Sequence, residues 1–169
     1  MYALTTRDLI RASKLLITLA TGLFGILVGI DYLAGLPKVF SLIRQDLLLS
    51  VLAEEYPIAY WVTRLTWVPP SAYALVTAAH LLFGALCLVG ARQMVRHLDS
   101  GASAFHDSKR LSVLGLLIGL LVVGLVLGVN ASPWLFQIVA RPVSSLGISL
   151  RMFDVILVGL VFVSLKNDD

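Results

Sequence analysis

The sequence has little charge for its length: 14% of its 169 residues are Asp, Glu, Lys or Arg, whereas 59% are hydrophobic. Soluble globular domains carry about 25% charged residues, so this composition excludes a soluble globular domain. No basic cluster lies beside interleaved aromatic residues, which removes the usual signature of a nucleic-acid-binding protein. The chain has one cysteine, Cys87, and therefore no disulfide bond of its own.

Patterns that carry catalysis are also missing. The sequence has no metal-ligand spacing, no nucleophile triad and no phosphate-binding loop, so we predict a non-catalytic protein without a metal site. Of the three histidines, His80 falls within an apolar run, whereas His97 and His106 lie in a polar stretch and are predicted to be in water. The sequence predicts no cofactor of its own, and only an interface with another subunit could hold haem or a quinone.

The sequence does contain four long apolar runs, at about residues 12–34, 71–95, 111–130 and 146–165. Each is close to the roughly 20 residues that an α-helix needs to cross the hydrocarbon core of a bilayer. Four spans and their loops use the whole sequence. We therefore predict an all-α polytopic membrane protein with a single membrane domain, 1–169.

The loop between the first two spans, 36–70, is predicted to form an outer cap of amphipathic interfacial helices. Apolar residues recur at helical spacing in KVFSLIRQDLLLSVLAEE, which is too short and too charged to cross a bilayer. A second interfacial segment, WLFQIVARPV, is expected between the third and fourth spans. Both a partner-binding surface and a lid on the chain's own helices are compatible with this cap. The predicted anchors at headgroup level are Trp61, Trp67 and Trp134.

The distribution of lysine and arginine predicts the orientation of the chain. Cytoplasmic loops carry the excess of these residues, and the side that holds the N-terminus has more of them. We therefore place both termini in the cytoplasm. On the N-terminal side lie Arg7, Arg11, Lys14, Arg92, Arg96, Lys109, Arg110 and Lys166, against Lys38, Arg44, Arg64 and Arg141 on the other side.

Four ionisable residues interrupt the apolar runs: Asp31, His80, Arg151 and Asp154. Such groups are costly inside hydrocarbon, so they mark either functional sites or contacts between helices. Counted at about 1.5 Å per residue, all four fall in the outer half of the bilayer. Asp31 and Arg151 are predicted to lie at similar depths in the bilayer, and so are His80 and Asp154. We therefore predict that each pair is in contact. Three interpretations remain open: contacts that determine helix order, a ligand or proton-relay site, and haem ligation by His80.

Glycines at four-residue spacing mark helix faces that can approach a neighbour closely. Such faces outnumber what four helices need, so we expect the chain to bind itself or other membrane subunits as well as lipid. We predict an accessory or assembly subunit of a larger membrane complex, respiratory or photosynthetic. The alternative is a quinone- or haem-associated redox, proton-relay or small transport component. The predicted packing glycines are Gly25, Gly29, Gly115, Gly119, Gly124 and Gly128.

Several short motifs are spread over nearly the whole chain: TGLFGILVGIDYL, Trp61-x-x-Arg64, Ala104-Phe105 with Lys109-Arg110-Leu111, and Arg151-Met152-Phe153. Together they resemble a bacterial family of predicted small integral membrane proteins with four helices, a domain of unknown function. The resemblance implies a bacterial inner-membrane protein and gives no activity. Members of that family have an acidic residue near the position of His80, so His80 is a departure.

Reporter fusions test the predicted orientation. We expect a fluorescent protein fused at residue 100 to fluoresce in the cytoplasm and alkaline phosphatase fused at residue 60 to be active outside, because of the positive-inside bias. The exchanged reporters at the same two positions are the controls, and both should be inactive. An outside signal at residue 100 would contradict the predicted orientation. It would also contradict the predicted depths of the four ionisable residues in the bilayer.

Overall fold

A computed structural model describes residues 5–44, 68–131 and 146–166 of the chain, with side chains over 5–37, 71–128 and 150–166. All regular secondary structure in the described residues is helical, and they contain no strand, which confirms the all-α prediction. Helix α1 packs along α2, α2 along α4 and α4 along α5, and α5 makes a smaller contact with α1. The helices are α1 (Thr6–Arg44), α2 (Val68–Arg96), α3 (Ala102–Ser108), α4 (Arg110–Ala131) and α5 (Leu146–Ser164).

Within the described residues, three stretches are long and apolar enough to cross a membrane: Thr6–Pro37, Ser71–Arg96 and Ala102–Gly128. They coincide with the first three predicted runs, so these apolar helices are confirmed; the third stretch also takes in the short α3. The fourth predicted run coincides with α5, which is 19 residues long. It stays a prediction that α5 crosses the membrane. The four-span topology therefore stays a prediction too.

Helix α1 is longer than predicted. The first run was expected to end near residue 34 and an interfacial helix to follow, yet one helix of 39 residues continues through Pro37 to Arg44. Proline removes a single backbone donor, and membrane helices tolerate that loss. The prediction of a separate interfacial helix was therefore wrong for residues 38–44. The remaining predicted outer elements lie outside the described residues: the cap over 45–67, the segment 134–143, and the anchors Trp61, Trp67 and Trp134.

Helix α1 buries small and polar residues and exposes large apolar ones. Its buried positions recur every three or four residues and so lie along one face of the helix. A helix in lipid needs its polar side chains to face other helices and its apolar side chains to face the lipid. The buried face consists of Arg11, Lys14, Thr18, Thr21, Gly22, Gly25, Gly29 and Tyr32. Exposed large apolar residues on α1 include Leu9, Leu16, Leu23, Leu27, Ile30 and Leu33.

The backbones of α1 and α2 meet at glycines on both helices. A Cβ atom on Gly84 of α2 would lie 2.7 Å from the backbone N of Ile26 and 2.9 Å from the carbonyl O of Gly22. Real Cβ atoms essentially never approach other atoms so closely. Because the obstructing atoms belong to the backbone, a change of side-chain rotamer cannot make room. Glycine at position 84 is what allows the two helices to pack.

Phe83 fills the space that two of the predicted glycines leave. A Cβ atom would lie 2.5 Å from its ring if placed on Gly25 of α1, and 3.0 Å from it if placed on Gly119 of α4. The Phe83 side chain is fully buried and belongs to a core that includes Leu116 of α4 and Ile156 of α5. The Phe83 ring of α2 thus packs against both α1 and α4.

The other predicted glycines differ in how closely they are packed. A Cβ atom on Gly29 or Gly115 would lie 2.5 Å or 2.7 Å from a side chain of α2. On Gly124 it would be at an ordinary 3.4 Å from Phe153, and on Gly128 it would meet no described atom within 4 Å. Most of these glycines therefore serve contacts within the chain. Their number is no longer an argument for an external partner.

Alanine substitutions distinguish tight glycines from open ones. We expect Gly84→Ala to destabilise the protein by about 1–3 kcal/mol, because the methyl group must push two backbones apart. Gly128→Ala adds the same methyl group to a helix where it has space, and should be neutral or stabilising by up to about 1 kcal/mol. Thermal unfolding of both variants in the same detergent measures this. Equal melting temperatures would contradict the packing described here.

Candidate functional site

His80 is buried between helices, at 3% exposure. Its Nδ1 lies 2.8 Å from the carbonyl O of Val76 one turn earlier. A carbonyl can only accept, so Nδ1 carries the donated hydrogen. The imidazole meets the Tyr32 ring edge-on at 5.0 Å and the Phe83 ring at 6.0 Å. The backbone hydrogen bond and the two rings hold His80 in one orientation inside the helix interface.

Two tyrosines complete the surroundings of His80. The Tyr73 hydroxyl donates to the carbonyl O of Tyr32 at 3.0 Å, which links α2 to α1. The two phenol rings lie 5.8 Å apart, and both side chains are buried. We call the end of the helices that holds Tyr32, Tyr73 and His80 the tyrosine end. Its described contacts are hydrogen bonds to backbone carbonyls and aromatic packing.

The other three predicted polar residues, Asp31, Arg151 and Asp154, are exposed. The structure has one salt bridge between described residues, in the turn from α3 to α4, and none of these three side chains takes part in it. The predicted pairs are therefore not formed in the described part of the chain: Asp31 does not pair with Arg151, and Asp154 faces outward while His80 faces inward. Two residues at the same depth in the bilayer can point in different directions around their helices. The prediction failed because it compared depths only.

A buried cluster of cations lies at the opposite end of the helices. Arg11, Lys14 and Lys109 are each at most 1% exposed. From the sequence they were counted only as cations on the cytoplasmic side, so this cluster was missed. We call these three residues the cationic cluster.

Arginines of α1 bind the turn that follows α2. Arg11 Nη1 donates to the carbonyl O atoms of Leu98 and Ser100, at 2.6 and 2.7 Å. Arg7 Nη2 donates to the same Ser100 carbonyl at 2.8 Å. Carbonyls that follow a helix lack intrahelical donors and carry partial negative charge, so cations stabilise them. The N-terminal part of α1 thereby anchors the turn from α2 to α3.

Two lysines share one carbonyl at the end of α5. Lys14 Nζ donates to the carbonyl O of Leu165 at 2.7 Å, and Lys109 Nζ donates to the same atom at 2.9 Å. Leu165 directly follows the last residue of α5, where backbone carbonyls need donors. This single oxygen joins the beginning of α1, the beginning of α4 and the end of α5.

The Phe105 ring packs between two of the cations. Arg11 Cζ lies 4.8 Å from its centroid and Lys109 Nζ lies 6.0 Å from it. Lys14 Nζ is 5.7 Å from the Phe162 ring. Aromatic faces attract cations, and the attraction is stronger where water is excluded. Phe105 has no exposed surface, so α3 contributes a buried ring that stabilises the cluster.

The sequence contains a signal that could have revealed part of the cluster. Arg7, Arg11 and Lys14 are spaced by four and three residues, so they continue the buried glycine face of α1. Cations in line with packing glycines predict burial rather than solvation. Lys109 carries no such signal, because its position depends on how the turn between α3 and α4 folds.

The chemistry that this end supports is anion binding. Lysine and arginine donors form their strongest hydrogen bonds with carboxylates and phosphates. Within the described residues no group of three or more His, Cys, Asp or Glu side chains could hold a metal ion. Cys87 is a free thiol in the core, packed against Gly115. The cationic cluster is therefore the candidate binding site of the described structure.

The profile of the family described as predicted small integral membrane protein (DUF2165) matches residues 10–166. The chain belongs to this family. The match confirms the resemblance found in the sequence, and it takes in both the cationic cluster and the tyrosine end. It also agrees with the three apolar helices long enough to cross a membrane. No curated protein and no solved structure matches the chain.

Replacing one buried arginine and one exposed arginine tests the cationic cluster. We expect Arg11→Met to destabilise the protein by about 1.5–3 kcal/mol, because the Leu98 carbonyl loses its charged donor and the Ser100 carbonyl keeps only the donor from Arg7. Arg96→Met changes an exposed arginine at the end of α2 and should stay within about 0.5 kcal/mol of the native protein. Thermal unfolding in one detergent compares the two variants. Equal changes in melting temperature would show that the buried contacts of Arg11 contribute nothing to stability.

Proposed function

We propose that this protein is a non-catalytic accessory or assembly subunit of a larger membrane complex in a bacterial inner membrane, with both termini in the cytoplasm. The observation that carries the proposal is a face of α5 on which charged residues are exposed among apolar ones. Lipid is a poor neighbour for such a face, whereas another membrane protein can supply complementary charges.

Five exposed residues of α5 fall on one side of the helix. Arg151, Asp154, Val155, Val158 and Val161 are spaced by three, one, three and three residues, which places them on one surface. The three valines are 53–65% exposed, and both charged residues are exposed as well. We call these five residues the α5 outer face. It is the kind of stripe that one helix presents to another.

The α5 outer face lies at the level of the apolar helices. Phe153, between its two charged residues, lies beside Gly124, which is inside the candidate span Ala102–Gly128. Lower on α5, a Cβ atom on Gly159 would lie 3.1 Å from Ile17 in the candidate span of α1. On insertion scales, each Arg or Asp at the centre of a membrane helix costs roughly 2.5–3.5 kcal/mol. A partner helix with opposite charges would remove much of that cost.

Asp31 supports the same conclusion from α1. It is exposed within the candidate span Thr6–Pro37, on the side away from His80 and the buried glycines. The alternative function, a redox or proton-relay component, needs the polar residues to share one site. In the described structure His80 points inward and the three charged residues point outward. No observation therefore favours that alternative over the accessory role.

Site-specific photo-cross-linking in native membranes tests the proposal. With a photoactivatable residue at Val158, we expect a cross-link to a different membrane-spanning chain. Combining it with Arg151→Gln and Asp154→Asn should lower the yield at least about ten-fold, because the loss of a charge pair worth about 1.4 kcal/mol weakens binding by that factor.

The matched control places the same probe at Leu82, which is 52% exposed. It lies on α2, a helix that packs on α1 and α4. Its cross-linking should not respond to the two charge substitutions. Cross-links at Val158 to lipid alone, or to a second copy of this chain alone, would contradict the accessory role. A yield that is unchanged by the substitutions would show that the charges do not recognise the partner.

A further inference from the structure

The carboxylate on the α5 outer face lies near the middle of its helix. Helix α5 runs from Leu146 to Ser164, so Asp154 is eight residues from its beginning and ten from its end. At about 1.5 Å per residue, these separations are roughly 12 and 15 Å. An aspartate side chain is too short to extend over such a distance to the lipid headgroups. Asp154 therefore needs a counter-charge at its own level.

Arg151 does not provide that counter-charge. It lies about one turn before Asp154 on the same face, yet the one salt bridge between described residues is elsewhere, in the turn from α3 to α4. Ion pairs within a helix are better when the acid precedes the base, and here the base precedes the acid. Both side chains are exposed. The α5 outer face thus presents two separate charges of opposite sign, in a fixed order along the helix.

We propose that the partner of the α5 outer face is a helix of a different chain with the complementary order of charges: a carboxylate opposite Arg151 and a lysine or arginine opposite Asp154. This inference rests on the proposed function and adds the chemistry by which the partner is recognised. Because the two levels are about 4.5 Å apart, the partner's acidic and basic residues are three or four positions apart on one face of its helix. The apolar part of the contact comes from Val155, Val158 and Val161.

Charge complementarity is the argument for this order. Ionisable side chains inside a membrane pair with one another, and pairs of arginine or lysine with a carboxylate form strong hydrogen bonds. Both charges of the α5 outer face are satisfied together only when the partner has the opposite sign at each level. A helix with the reversed order would place like charges opposite each other twice, which strongly disfavours the complex. The order of the two charges therefore selects the partner.

A second copy of this chain does not offer the complementary order at equal depth. Copies that insert in the same orientation are related by an axis perpendicular to the membrane, so their α5 helices run parallel. In a symmetric contact through the α5 outer face, Arg151 would lie opposite Arg151 and Asp154 opposite Asp154. The charges thus favour a different chain over self-association through this face.

Exchanging the two charges tests the proposal, with the photoactivatable residue at Val158 of the full-length protein in native membranes. The double variant Arg151→Asp, Asp154→Arg keeps both charges on the same face and reverses their order. We expect its cross-link to the different chain to fall at least about ten-fold, because like charges then meet at both levels. The matched control, Arg151→Lys with Asp154→Glu, keeps the order, and its yield should stay within about two-fold of that with the natural charges.

The outcomes separate this inference from the proposed function. If the exchanged variant cross-links the different chain as well as the natural charges do, the inference is overturned, whereas the accessory role stands because a different chain is still bound. If the natural charges give no cross-link to a different chain, both are overturned. A cross-link to a second copy alone, unchanged by the exchange, would show self-association, because both copies then carry the reversed order.

The amount of each variant in the membrane fraction shows whether it has inserted. If the exchanged variant does not insert, the single reversals Arg151→Asp and Asp154→Arg decide. Each places like charges opposite each other at one level and should lower the cross-link at least about ten-fold. Unchanged yields in both single variants would overturn the proposal.

Discussion

The close approach of α1 and α2 is the contact on which the rest of the structure depends. Gly84 lets the two backbones touch, and Gly22 and Gly25 on α1 accept the side chains that α2 projects. In lipid, apolar surface gains little from leaving its solvent, so helix association relies on such packing and on polar contacts between helices. The same contact places Phe83 in the core and His80 against Tyr32, which orders both the centre of the protein and its tyrosine end.

The two ends of the structure are closed by different chemistry. At the tyrosine end, hydroxyl and imidazole donors bind carbonyls of their own or the neighbouring helix. At the other end, three cations bind carbonyls that follow α2 and α5, around the ring of Phe105. Between them, α1 presents glycine and threonine inward and leucine outward. This inverted polarity agrees with a protein that belongs to a family of integral membrane proteins.

The apolar runs were sufficient to predict α2 and α4, because a helix of that length and hydropathy has few alternatives in a bilayer. The extension of α1 through Pro37 could not be predicted from a single proline signal, because apolar sequence on both sides keeps the helix intact. Contacts were harder to predict than helices. Spacing placed Arg151 and Asp154 on one face, but only the packing of α5 decided that this face points outward. Burial of Lys109 likewise depends on the fold of a turn and not on its neighbours in the sequence.

The shared carbonyl of Leu165 has a consequence for how the protein forms. Lys14 and its acceptor are separated by 151 positions in the sequence, so their hydrogen bond cannot form until α5 has been synthesised. Until then Lys14 must lie in water or against lipid headgroups, even while Arg11 can already bind the turn after α2 and the glycine face of α1 can already pack on α2. Contacts between distant parts of a chain form late because loop closure precedes them. The contacts of α1 with α2 can therefore form before the cationic cluster is complete, and the residue after α5 supplies the acceptor that Lys14 and Lys109 share.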